Sequence, residues 1–391
     1  MYWKRHYQDL NKWMRQGKVL VLYGARRTGK TSLLKNYLET CKISYKFELG
    51  DNIRLQHLLN SGDIDKIKEY AYSTDLLVID EAQEIPNVGK GLKLLIDIRP
   101  ELKIIASGSS AFELNQQIGE PLTGRKRELK LYPFSWLELK DTISKYDLRQ
   151  GLNNYVIYGL YPEVLMADTD AEKKEIINDL VNSYLLKDIL SFDRIKSSEP
   201  LLKLLQLLAF QVGSEVSHHE LGQQLGMNSR TIERYLDLLE KCFVIYKLSA
   251  FSKNPRKEIS KKTKYYFCDN GILNGIISNF NPPSLRNDIG GLWENFLVGE
   301  RMKALHYQRL FPKRHFWRSY GGQEIDYIEI RDGQMYAWEF KWKLPRTFDI
   351  SIVEEPSGFS GYYNDYDFSL INRENFMGFV LTEDLHKEPV T

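Results

Sequence analysis

At 391 residues, with 42% hydrophobic and 27% charged positions, the chain has the composition of a soluble globular protein and the length for two or three domains. Its formal net charge of only +2 excludes a protein-wide field for nucleic acid, so any basic surface must be local. The three cysteines, Cys41, Cys242 and Cys268, are too scattered for a disulfide framework or a zinc site and predict a reducing, cytoplasmic compartment. The start of the chain lacks the apolar core of a signal peptide. The most apolar window, Leu201 to Phe210, is broken by Lys203 and Gln206 and is too short to cross a bilayer, so no membrane partner is expected.

Residues 1 to 16 read as an amphipathic helix leading into an apolar β-branched strand, Lys18 to Tyr23. The next nine residues are Gly24, Ala25, Arg26, Arg27, Thr28, Gly29, Lys30, Thr31 and Ser32, and a helical stretch follows. Strand, glycine loop and helix together define a phosphate-binding loop. Its glycines let backbone N–H groups turn inward, where they join the positive end of the helix dipole. Lys30 is placed to reach the outer phosphates and the Thr31 hydroxyl to ligate Mg²⁺.

Ile43 to Leu49 alternates as a strand. After two short helical stretches, Asp75 to Asp80 reads as a buried parallel strand that delivers Asp80 and Glu81 at its carboxyl end. Asp80 is the expected Mg²⁺ partner through water, and Glu81 the group that orients and polarises an attacking water. A further strand, Leu102 to Ala106, runs into Ser107, Gly108, Ser109 and Ser110. Two readings stand for these serines: contact with the γ-phosphate or the attacking water, with Ser107 the candidate, or capping of the next helix by Ser109 or Ser110. Arg125, ahead of a strand from Glu128 to Leu131, is the candidate to neutralise transition-state charge, in cis or on a neighbour in a homo-oligomer. The alternative is a surface arginine.

Residues 135 to 198 read as helices. Ser135 and Glu138 form a capping box, Gly159 to Val164 interrupts the run, and Asp170 caps a long helix reaching about Phe192. A lid over the nucleotide is the expected role. Ser217 to Glu220 then opens a short helix ending at Gly226, and Asn228 and Ser229 cap a second. Strands from Phe243 to Leu248 and from Lys264 to Phe267 flank a basic loop carrying Lys253, Arg256, Lys257, Lys261 and Lys262. Helix, turn, helix and basic wing predict a winged helix. Arg230 and Arg234 favour DNA as its partner, whereas Glu233, Asp237 and Glu240 favour a structural or protein-binding role.

In the last third, Asp332 and Gly333 are a strong hairpin turn. That turn pairs Arg331 with Gln334 and, further out, Ile328 with Ala337 and Asp326 with Glu339. Strand alternation then places Ile325 with Tyr327, Trp338 and Phe340 on the opposite face. Like charges directly opposed are destabilising. Asp326 beside Glu339 therefore calls for a divalent cation, with Lys341 adjacent and Glu294 on an upstream helix as a third carboxylate, or else for a salt bridge to Lys341 or a solvated edge.

The order of these motifs resembles a family of prokaryotic AAA-type P-loop ATPases with a winged helix and a C-terminal domain related to restriction endonucleases. The resemblance rests on Gly24 to Ser32, Asp80 to Gln83, Ser107 to Ser110, Thr123 to Arg125, and Glu294, Asp326, Glu339, Phe340 and Lys341. It implies an α/β fold: a P-loop parallel sheet (residues 1–134) with a helical lid (135–198), then a winged helix (199–275) and an α/β restriction-endonuclease-like domain (276–391). It implies ATP and Mg²⁺ as cofactors. It further implies Glu294, Asp326 and Glu339 as metal-binding carboxylates and Lys341 as the lysine that positions or activates water. The expected activity is Mg²⁺-dependent ATP hydrolysis that switches the C-terminal domains, with a nucleotide-gated nuclease or an ATP-switched DNA- or protein-binding regulator as alternatives.

Overall fold

The computed structural model describes residues 3–109, 122–185, 199–251, 263–319, 321–343, 359 and 366–386. The chain divides into two compact units, residues 1–133 with 241–243, and residues 134–240 with 244–391.

The first unit is a five-stranded parallel sheet, built from β1 (Val19–Tyr23), β2 (Tyr45–Leu49), β3 (Leu76–Asp80), β4 (Lys103–Gly108) and β5 (Lys126–Lys130) in the order β2-β3-β4-β1-β5. Helices α1 (Lys30–Glu39), α2 (Ile53–Asn60), α3 (Ile64–Tyr72) and α4 (Val88–Ile98) lie between the strands in sequence. Every residue of β1 and β3 is buried, which is why these strands read as unbroken apolar runs and not as alternating ones. The strand ending in serine is inserted between β3 and β1. All five carboxyl ends therefore share one edge, with the glycine loop, Asp80 and Ser107 upon it.

The expected N-terminal helix does not form. In its place is a single 3₁₀ turn, Leu10–Lys12, where the Asp9 side chain accepts from the Asn11 N–H. Tyr7 and Leu10 are fully buried, and Tyr7 packs edge-on against Trp13 at 5.2 Å. Arg5 donates to the Thr28 carbonyl at 3.1 Å and the Tyr132 carbonyl at 2.6 Å. The segment's rings and guanidinium dock individually, and a continuous helix would spread them around its axis.

The second unit is organised by a mixed seven-stranded sheet: β6 (Glu215–Val216), β7 (Ile245–Ala250), β8 (Thr263–Phe267), β9 (Lys313–Arg318), β10 (Glu324–Arg331), β11 (Gln334–Phe340) and β12 (Tyr366–Ile371), ordered β12-β11-β10-β9-β7-β8-β6. Strands from the stretches expected as winged helix and as nuclease-like domain thus lie in one sheet, joined where β7 pairs β9 in parallel at Ser249 with His315 and Ala250 with Phe316. Among its helices are α5 (Asp170–Asp179), α6 (Glu199–Phe210), α7 (His218–Leu225), α8 (Ser229–Lys241), α9 (Asn270–Ile276) and α10 (Ile289–Tyr307). Ser135 and Glu138 form the expected capping box. Thr169, not Asp170, caps α5: its backbone is extended and its hydroxyl accepts from Glu172 N, while Asp170 is already helical. The projected extension to Phe192 runs beyond residue 185, outside the described residues, as does the basic loop from Lys253 to Lys262. Gly226 closes α7 in the left-handed conformation, φ +65°, and the Asn228 carboxamide accepts from Thr231 N at the start of α8.

The C-terminal hairpin follows its predicted register, Arg331 with Gln334 and Ile328 with Ala337, with Asp332 and Gly333 both at positive φ, as a two-residue turn of this type requires. Alternation fails at one place. Ile325 pairs Trp317 and Ile328 pairs His315, so three steps on β10 match two on β9. This β-bulge turns Ile325 onto the face of Ile328 and Ala337, where it packs with Trp317, Phe251 and Phe359.

A buried ion cluster fastens α10 to β10. Arg301 donates to both oxygens of Glu329, at 2.8 and 3.0 Å, and to Asp384 at 2.7 Å. Arg331 donates to the same two acids. Burial alone would raise the Glu329 pKa, but the two guanidinium groups outweigh it and hold the carboxyl below its usual range. Asp384 is lowered in the same way. Arg301→Met leaves Glu329 buried with one cationic partner fewer, and is expected to cost about 3 kcal/mol in chemical denaturation. Because both folded-state pKa values lie below the unfolded ones, the stabilisation is present above the ordinary carboxylate range and is lost as pH falls through it. Wild-type stability should therefore decline below about pH 5 more steeply than that of Arg301→Met.

Candidate functional site

In the first unit the loop between β1 and α1 is shaped by contacts that only its own residues allow. Gly29 precedes α1 at φ +93°, a left-handed conformation that favours glycine. At Gly24 a Cβ would overlap the Leu131 carbonyl oxygen. The Thr28 hydroxyl donates to Ala25 O at 2.8 Å, and Lys30 Nζ is curled back onto Gly24 O at 2.8 Å and Ala25 O at 3.1 Å. Its ammonium is thereby held at the mouth of the loop.

Across the sheet edge, the Thr31 hydroxyl donates to Asp80 Oδ2 at 2.6 Å, and the Ser107 hydroxyl donates to Asp80 Oδ1. The next residue, Glu81, sits at φ +52° and donates its backbone N–H to Ser107 Oγ at 3.2 Å. Of the two readings open for the serines, Ser107 is engaged with the acidic strand end. Ser109 accepts from Gln83 at 3.3 Å, and Ser110 is outside the described residues. Thr31 and Asp80 present a hydroxyl and a carboxylate oxygen side by side. That donor set fits Mg²⁺, which takes one or two protein oxygens and completes its shell with water and phosphate.

Three contributors escaped the sequence reading. Gln83 Nε2 donates to Glu81 Oε2 at 2.5 Å as well as to Ser109; it closed the acidic motif, but nothing in the spacing assigned it a partner. Gly50 donates its N–H to Asp80 O at 2.8 Å, and a Cβ there would overlap the Glu81 carbonyl. Arg5 supports the loop from behind, and its distance in sequence hid it.

Arg125 lies elsewhere. Val19 N bonds Arg125 O, which places Arg125 at the amino-terminal end of the sheet while the loop leaves the carboxyl end. A five-residue strand separates them, roughly 17 Å. Its guanidinium pairs with Asp97. A role in cis at these phosphates is therefore excluded by strand direction.

The second unit brings together the expected carboxylates: Glu339 takes the Lys341 salt bridge that was the alternative to a metal, and the others gather around a lysine the sequence reading did not include among the site residues, Lys264. Glu294, on α10, accepts from Lys264 Nζ at 2.9 Å and from the Tyr266 hydroxyl at 2.6 Å. Lys264 is fully buried, pairs also with Glu324, and stands 4.0 Å from Asp326. Asp326 Oδ2 accepts from Phe340 N at 2.8 Å, and Lys341 bonds Glu339 at 2.6 Å. Burial raises the pKa of Glu294, and burial together with Glu294 and Glu339 raises that of Asp326. Burial opposes the charge on Lys264, yet Glu294, Asp326 and Glu324 outweigh it and raise its pKa. These residues do not fit the divalent cation that the motif implies, because an ammonium already stands among the acids. Among the described residues no group of three or more His, Cys, Asp or Glu is arranged to hold a metal ion.

Comparison with known proteins divides the chain in three. Residues 16–140 match the AAA domain family, residues 149–283 a domain of unknown function, DUF8612, and residues 289–350 another, DUF4143. An uncharacterized protein of Haemophilus influenzae is 29% identical over 272 residues, covering 65% of this chain and 68% of its own. One from Mycobacterium bovis is 25% identical over 338 residues, covering 85% of this chain and 72% of its own. Among solved structures, a Walker-type ATPase of Pyrococcus abyssi is similar at 16% identity and a TM-score of 0.44, over 66% of this chain and 91% of that one. The AAA match covers nearly all of the first unit, and its strand order and phosphate loop agree with that match. No helix among the described residues is long and apolar enough to cross a membrane.

Removing the buried support behind the loop tests how far it depends on the N-terminal segment. Arg5→Ala deprives the Thr28 and Tyr132 carbonyls of a charged donor and is expected to cost about 2 kcal/mol in urea denaturation.

Proposed function

We propose that the chain binds ATP with Mg²⁺ at Gly24 to Ser32 and hydrolyses it, and that its nucleotide state switches the second unit. The observation that carries the first part is the convergence of Thr31, Asp80, Ser107 and Glu81 on the edge that holds the loop. The loop amides and the N-terminus of α1 receive the phosphates, and Lys30 exchanges the Gly24 and Ala25 carbonyls for phosphate oxygens. Thr31 and Asp80 would hold the Mg²⁺, which neutralises phosphate charge when bound. Glu81 orients the attacking water and accepts its proton. Gln83 and Ser109 steady that carboxylate. Ser107 fixes Asp80 and so acts as a positioning residue. ATP is favoured as the nucleotide by the AAA match, since the loop itself reads phosphates.

Lys30→Ala should abolish binding of a fluorescent ATP analogue, and Glu81→Gln should retain it while phosphate release stops. MgATP at a hundredfold over its Kd should add about 2.7 kcal/mol of stability. Absence of both a thermal shift and phosphate release in the wild type would sink the reading. Gln83→Ala should lower kcat roughly tenfold with KM nearly unchanged. An unaltered kcat would remove Gln83 from the site and leave the ATPase standing.

For the second unit we propose a winged helix in residues 199–275 that contacts DNA or a protein, followed by a restriction-endonuclease-like domain. The order α6, β6, α7, α8, β7, β8, with β8 flanked by β6 and β7, supports the first. The mixed sheet β9 to β12 beside α10, carrying Glu294, Asp326, Glu339 and Lys341, supports the second. Arg230, Glu233, Arg234 and Asp237 are all exposed on α8, a mixed face that suits a regulator better than a strong DNA reader. DNA affinity should fall by nearly one log unit per log unit of salt for each phosphate neutralised. Salt-insensitive or absent binding would favour a protein partner.

A further inference from the structure

We propose that the acidic cluster of the second unit is built around an internal lysine in place of a divalent cation. Lys264 supplies the positive charge where Glu294, Glu324 and Asp326 converge, and it locks β8 to α10 and β10.

An ammonium taken fully out of water is strongly unfavourable unless carboxylates and hydrogen bonds meet it. Lys264 has no solvent exposure, and its Nζ lies 2.9 Å from Glu294 and 4.0 Å from Asp326 while also pairing with Glu324. Three acids from two elements surround one cation, which is the arrangement a divalent ion would otherwise command. One oxygen of each neighbouring carboxylate is also engaged, while Glu339 Oε2 is buried without a hydrogen-bond partner among the described residues. Glu294 Oε1 also accepts from Tyr266 at 2.6 Å, Asp326 Oδ2 accepts from the Phe340 amide at 2.8 Å, and Glu339 Oε1 is held by Lys341 at 2.6 Å. A divalent ion entering between Glu294 and Asp326 would compete with these donors and sit beside a buried positive charge, which repels it. The lysine side chain is enclosed, and Nζ lies 5.2 Å from the centroid of the Phe316 ring. The cluster is therefore a lock between strands and helix, and the nuclease-like fold carries no metal-assisted phosphodiester chemistry at this place. The inference stands independently of ATP hydrolysis in the first unit.

The test is a Mn²⁺ titration of the full chain without nucleotide, followed by calorimetry and by the electron paramagnetic resonance of free Mn²⁺. Wild type and Asp326→Asn are expected to bind Mn²⁺ identically, so that any weak binding at Asp80 is common to both. Lys264→Ala, which empties the centre of the cluster, is expected to gain a Mn²⁺ site that is lost again in Lys264→Ala combined with Asp326→Asn. A Mn²⁺ site in the wild type that Asp326→Asn removes would overturn the proposal, as would Mn²⁺-dependent cleavage of DNA or RNA abolished by the same substitution. If Lys264→Ala does not fold, the comparison of wild type with Asp326→Asn decides alone.

Discussion

Both oxygens of the Asp80 carboxylate are engaged, one by the Thr31 hydroxyl and the other by that of Ser107, and this pair of bonds ties the ends of β3, β4 and the helix after β1 into a single edge. The parallel sheet makes such a meeting possible, because it delivers every strand's carboxyl end to the same side. It also makes the edge sensitive to spacing. Gly50 and Gly24 let neighbouring backbones approach the Glu81 and Leu131 carbonyls more closely than any side chain permits. Arg5 bridges the Thr28 and Tyr132 carbonyls from the far side. The loop's conformation is thus set by contacts on several sides and is not a property of its nine residues alone.

The phosphate loop and the acidic strand end were legible because each is a local pattern with one physical solution. Four apolar residues ending in Asp and Glu, or a Gly-Lys-Thr after a β-branched strand, leave few alternatives. The capping box at Ser135 and the Asp332–Gly333 turn belong to the same class. What escaped was set by contacts remote in sequence. Arg5 lies 23 residues from Thr28 and 127 from Tyr132, and no periodicity connects them. Arg125 lay near the right motif but at the wrong end of its strand, a distinction of direction that spacing does not encode.

The second unit shows the same limit more sharply. Hairpin register was readable out to Tyr327 and Trp338, since a tight turn fixes it. The bulge beyond was not, and it moved Ile325 to the opposite face. The carboxylates of the acidic cluster were identified from their crowding. Lys264, 30 residues before Glu294, was read only as the start of a strand. Crowded acids signal that a cation is present without saying whether it is an ion or a side chain.

The parallel pairing of β7 with β9 bears on how this chain has been inherited. Because β6, β7 and β8 continue the sheet formed by β9 to β12, an exchange of genes at a breakpoint between residues 275 and 276 would separate Lys264 from Glu294, Glu324 and Asp326 in one step. The recipient would acquire either buried acids with too little positive charge or a buried lysine among foreign neighbours. The two stretches are thus expected to descend together, and lineages that lose one should lose or rebuild the other.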